Sequence, residues 1–145
     1  APTGNAFKLA LFSSNSASLG KGTTVYTAPA SANAVPTNTL EVSQSTTDGG
    51  ASNSGYTAGG AALTASADPV LSGDTACVKF NDVSFTSATF TARGCLLYNS
   101  TAVTGFTTNR SVFSINFGAD KTVTSGTFTV QFPAQTAGNA IVQIA

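Results

Sequence analysis

The chain contains no His, no Trp and no Met, and among its 145 residues only six are acidic and six basic. Each shortage removes a class of chemistry. Without His, the side chain that most readily exchanges protons near neutral pH is missing, and so is the commonest nitrogen ligand for transition metals. Most catalytic designs lose their usual acid, base or metal anchor, and no enzyme, cofactor or metal site is expected. The charges cancel and are scattered singly. They form no basic stripe able to follow a phosphate backbone, so nucleic acid is not expected as a partner. No apolar run approaches the roughly eighteen positions that a membrane helix needs, and the N-terminus lacks the charged-then-apolar pattern of a signal peptide. Membrane association is therefore not expected. Ala1 in a chain without Met is expected of a cytoplasmic product that has lost its initiator, although a removed signal peptide leaves the same start. Two cysteines, Cys77 and Cys95, are too few for a disulfide framework or a zinc site, and the expectation is two buried thiols. A hairpin turning near Thr86 would set them nearly opposite each other.

What is present is alternation. In Phe90-Thr-Ala-Arg-Gly-Cys-Leu-Leu-Tyr98, a period of two puts Phe90, Ala92, Gly94, Leu96 and Tyr98 on one face of a strand, and Thr91, Arg93, Cys95 and Leu97 on the other. Phe113, Ile115, Phe117 and then Phe128, Val130, Phe132 repeat the pattern with small polar residues between. Together with Phe80, Phe90 and Leu96 these side chains are expected to fill one core. Strands are expected near 89–98, 112–118, 125–132 and 139–144, separated by Asn99-Ser100-Thr101, Gly118-Ala119-Asp120-Lys121 and the Pro133 region. Ahead of them, Phe7–Phe12 reads as a strand apolar on both faces, 61–65 as another, and 76–80 as a third. A switch of parity at Asn81-Asp82 indicates a bulge or bend. Ser16–Gly20 fits one helical turn, and nothing longer reads as a helix. A length of 145 residues suits a single domain with its own core. Many short strands with turn signals imply an all-β fold, a β-sandwich or jelly-roll-like double sheet with long N-terminal loops; a closed barrel is the alternative.

Residues 21–62 carry mostly loop chemistry, with 27–60 as the long loop region, Pro29, Pro36 and Asp48-Gly49-Gly50 within it, and only two apolar islands, Val25-Tyr26 and Leu40-Glu41-Val42, which read as short strands. So long a loop usually has a task or a partner, which marks it as a candidate contact surface, together with the N-terminal strand region. Gly55-Tyr56-Thr57-Ala58-Gly59-Gly60 lacks the spacing of a phosphate loop, and its glycines read as turn residues. Arg93, mid-strand in an apolar run, fits a surface pair with Asp82 or Asp120, or a contact between subunits. Tyr26 and Tyr56 are the aromatics available to a partner, Tyr98 being expected inward, and Glu41 is the carboxylate available to a contact. Arg93, Tyr26, Tyr56 and Glu41 are thus the candidate interaction residues. A glycan-binding module would want more exposed aromatics, and a glycosidase would have to pair Glu41 with one of the Asp residues.

Taken as an ordered set, Phe7–Phe12, Gly55–Gly60, Phe90–Asn99, Asn116–Lys121 and Gly126–Pro133 resemble a widespread group of small structural proteins of tailed bacteriophages. The resemblance leaves out roughly residues 27–54, and the chain departs from the group's pattern at Cys95. It implies a virion component made in the host cytoplasm, in first place a head decoration (cement) protein bound outside the major capsid lattice. Its implied partners are the major capsid protein and other copies of itself, expected as a homotrimer. A tail- or fibre-associated role in adsorption or surface recognition is the alternative that the same resemblance implies.

Overall fold

The computed structural model describes residues 4–13, 23–26, 41–42, 54–65, 69–102 and 104–144. The expected helical turn at 16–20 and the loop segments 27–40 and 43–53 lie outside them. The described chain is all-β, with two antiparallel sheets. One sheet sets Ala61–Leu63 (β2), Phe7–Phe12 (β1), Val83–Asn99 (β5) and Arg110–Val130 (β6) side by side in that order. The other sets Val70–Ser72 (β3), Thr75–Val78 (β4) and Val142–Ile144 (β7) side by side. The chain divides into two compact units, Ala1–Ala62 with Phe85–Phe128, and Leu63–Ser84 with Thr129–Ala145. The residues expected in one core are divided between these units. Phe90, Leu96, Phe113, Ile115, Phe117 and Phe128 belong to the first unit, and Phe80, Val130 and Phe132 to the second.

In the first unit β1 lies between β2 and β5, and its sequence explains the place. Both its faces are apolar, so both need cover. Leu9 pairs with Leu97 and Leu11 with Cys95 on one face; Ala10 pairs with Leu96 and Phe12 with Gly94 on the other, and all are buried. Each buried Leu contributes roughly 1.5–3 kcal/mol of transfer free energy. β1, expected as part of the contact surface, lies between β2 and β5 rather than at an edge of the sheet. At Gly94 a Cβ would stand 2.6 Å from the Ile115 carbonyl oxygen, so only a bare backbone lets β5 and β6 approach so closely.

Two expected turns prove to be irregularities inside long strands. Thr86 starts no hairpin: β5 runs through it, and Ser87 takes a φ of 50°, with Thr86 and Ser87 both exposed. One extra residue there exchanges the faces, so that Val83 and Phe85 before it and Ala88 and Phe90 after it are all buried. That removes the reason for placing Cys77 opposite Cys95; both are buried free thiols, in different sheets. Likewise Gly118–Lys121 does not end a strand. Gly118 has a φ of +78°, its N–H donates to Asn116 Oδ1 at 2.8 Å, and β6 continues. On the Asp120 side of this bulge, Arg93 meets Asp120, Thr91 meets Thr122 and Ser84 meets Thr129 across the strands. The long β5 offers partners on both sides of the bulge, which is why turn chemistry does not become a turn. The cost is cover: Ile115 is 37% exposed, and Phe113, Phe117 and Phe128 are only half-buried.

The second unit holds the short strands. Val70–Ser72, where no strand is expected from sequence, pairs with β4 around the Gly73-Asp74 turn. β7 is shorter than the expected 139–144 and pairs with the other edge of β4. Side chains tie the unit together. Asp82 Oδ1 accepts from the Phe132 N–H at 2.9 Å, Gln135 Nε2 donates to the Cys77 carbonyl at 3.0 Å, and the Phe80 and Phe132 rings pack 6.0 Å apart.

Candidate functional site

The most concentrated polar chemistry among the described residues is a buried carboxylate ringed by phenols. Each contributor arrives by its own backbone pairing. Tyr26 sits on a short strap whose backbone bonds to the start of β6, from the Tyr26 N–H to Asn109 and from the Ser111 N–H to Thr24. Glu41 bridges Phe12 on β1. Tyr56 and Gly59 belong to the glycine-containing turn between Ser54, which bridges Thr89, and β2. Tyr98 stands near the end of β5, opposite Lys8. The turn is held against β1 by Gly60, whose φ is +72° and where a Cβ would fall 1.9 Å from the Leu9 carbonyl oxygen. The reading of these glycines as turn residues is thus explained by close approach as well as by conformation.

Glu41 is 1% exposed. Its Oε1 accepts from the Tyr56 hydroxyl at 2.6 Å and from the Gly59 N–H at 2.7 Å, and its Oε2 accepts from the Tyr26 hydroxyl at 2.9 Å. The Tyr56 oxygen in turn accepts from the Leu11 N–H at 2.9 Å, and Tyr98 donates to the Gly59 carbonyl at 2.7 Å. The Tyr26 and Tyr98 rings stack with centroids 4.4 Å apart. Three donors converging on one carboxylate offset the cost of removing it from water. Burial, and then the negative charge of Glu41, pushes Tyr26 and Tyr56 far above the usual phenol range and Tyr98 up to about 12. The phenols are therefore neutral donors, and both carboxylate oxygens are already engaged. Chemically the arrangement fastens three separate stretches of chain to β1 and β5.

Three of the four candidate interaction residues, Glu41, Tyr26 and Tyr56, thus come together, but facing inward. Burial and hydrogen bonding commit Tyr26 and Glu41 to the interior, which corrects their expected place at a contact; Tyr56 is half-buried, with its hydroxyl spent on Glu41. Its ring continues into an aromatic series through Phe85 and Phe90 to Phe128 and Phe117. The fourth residue, Arg93, lies apart and pairs with Asp120 at 3.3 Å on the surface, one of the two carboxylates expected for it. Sequence reasoning passed over Phe106, which is 62% exposed and carries the Arg110 guanidinium 4.8 Å from its ring centre. The available signal was a lone aromatic between Gly105 and Thr107, four residues before an arginine. Among the described residues no three His, Cys, Asp or Glu side chains gather as metal ligands, and no helix is long and apolar enough to cross a membrane. Comparison with protein-family models, with curated proteins and with solved structures returned no match.

Proposed function

We propose that this chain is a structural component of a bacteriophage virion, a head decoration protein that binds the outside of the major capsid lattice and works by shape and contact rather than by catalysis. The observation that carries the structural half of this reading is the Glu41 cluster. The strongest convergence of ionisable groups among the described residues is consumed in fastening the chain to itself. The virion setting comes from the ordered resemblance of strands and turns set out above, and the all-β architecture with its hydroxyl-rich, weakly charged strands accords with it. The same reading carries the sandwich or jelly-roll arrangement of the resembling group, and assigns capsid contact to the loop segments 27–40 and 43–53.

The test is direct. Purified protein is mixed with heads lacking it and with tails, and the position of bound protein is read by electron microscopy. Regular density on heads supports the decoration role; density confined to tails or fibres assigns the adsorption role instead; binding to neither rejects both. Replacing residues 43–53 with a Gly/Ser linker of equal length is expected to leave the fold intact and weaken attachment. Full occupancy of heads by that variant would remove the loop from the contact.

A further inference from the structure

We propose that copies of this chain join head to tail, the Phe106–Arg110 patch of one copy receiving the Leu71–Asp74 tip of the next. This rests on the reading of a structural protein assembled in many copies, and it names the surfaces that assemble. On the first patch, Phe106 and Val112 are 62% and 48% exposed, and the guanidinium lying over Phe106 has no carboxylate partner among the described residues. Val112 falls on the same side of β6 as Arg110. On the second, Leu71 and Ile144 both pair with Ala76, so they stand in one row across the three-stranded sheet, 73% and 70% exposed. Asp74 lies in the turn that ends this β-hairpin and makes no ion pair among the described residues.

Each patch therefore sets large exposed apolar groups beside one unspent charge, and the two charges are opposite. Self-pairing of either patch would bring Arg110 against Arg110 or Asp74 against Asp74. Joining unlike patches instead gives the guanidinium a carboxylate, its best-matched mate, and covers the apolar groups on both sides. Aromatic and arginine side chains are also the types that concentrate contact energy. A contact between unlike patches repeats from copy to copy and produces rings or open chains.

Sedimentation equilibrium of the purified protein over a rising concentration series tests this. Wild type is expected to associate. Arg110→Asp and Asp74→Arg should each lower the association constant by about tenfold or more, by setting like charges at the contact. An equimolar mixture of the two variants should recover association, because each then meets an opposite charge, and so should the doubly exchanged chain. Wild type that stays monomeric throughout, single variants that associate like wild type, or a mixture that fails to recover would each overturn the proposal. Head binding is scored separately: association as described without head binding removes the capsid role alone, whereas head binding by protein whose association ignores both substitutions removes this contact alone.

Discussion

Glu41 is the residue on which the interior chemistry turns. Gln at this position keeps the size but presents an amide N–H₂ where one oxygen now accepts, so at least one of the Tyr26, Tyr56 or Gly59 donors loses its acceptor. Glu41→Gln is expected to cost about 1–3 kcal/mol, read as a lowered urea midpoint at unchanged m-value. The three tyrosines of the cluster are all the tyrosines the chain has. Alkaline titration by tyrosinate absorbance therefore reports on this cluster alone. The ordinary values are 10.0 for tyrosine and 9.0 for cysteine, and in the fold Tyr98 and Cys95 both rise to about 12, while Tyr26 and Tyr56 rise further. An acid with a raised folded value contributes stability that is fully present below its unfolded value and is lost as pH rises through the folded one. Stability should thus hold up to about pH 9 and fall steadily towards pH 12, with tyrosinate appearing together with unfolding rather than near pH 10. A normal phenol titration in the still-folded protein would show that the cluster does not form.

At the scale of elements, β5 is the strand that joins β1 to β6 in the larger sheet. Its Phe90 is 3% exposed and packs on Phe85 and Phe128, whereas Ile115 on β6 is 37% exposed. Phe90→Ala is expected to cost about 3–5 kcal/mol, and Ile115→Ala under about 1.5 kcal/mol, since Ile115 is only partly removed from water. Equal losses in parallel denaturation curves would contradict the assignment of Ile115 to the rim. The Arg93–Asp120 pair, with both side chains more than 40% exposed, belongs to the same strands but adds little to their union; pairs of this kind contribute at most about 1 kcal/mol.

At the scale of the whole molecule, stability should be uneven in a way that follows strand position. Amides of residues 9–12 on β1 and of residues 94–99 on β5 lie in interior strands covered on both faces, and are expected to exchange with solvent most slowly. β3 and β7 are three-residue edge strands with exposed Leu71 and Ile144, and should exchange fastest among the strands. Native-state hydrogen exchange would show this gradient within one experiment. Uniform protection across all seven described strands would mean that the two units open only together. Association through the Leu71–Asp74 tip would slow exchange in β3 with rising protein concentration, which links this measurement to the assembly proposed above.

How far each feature was legible depended on how local its cause was. Phe7–Phe12 and Phe90–Tyr98 were readable as strands because alternation expresses which faces need cover, and a strand apolar on both faces must lie inside a sheet. The glycines at 55–60 were readable as a turn, and Asp120 as a possible mate for Arg93, for equally local reasons. The bulges at Ser87 and Gly118 were not, because the same small residues make a turn or a bulge depending on whether the facing strand continues. Nor was the cluster of Tyr26, Glu41, Tyr56 and Tyr98 visible, for in the sequence these are isolated polar or aromatic residues, three of them in segments of loop chemistry. Only tertiary pairing brings them to one point, where the absence of water turns a carboxylate and three phenols from surface groups into a fastening.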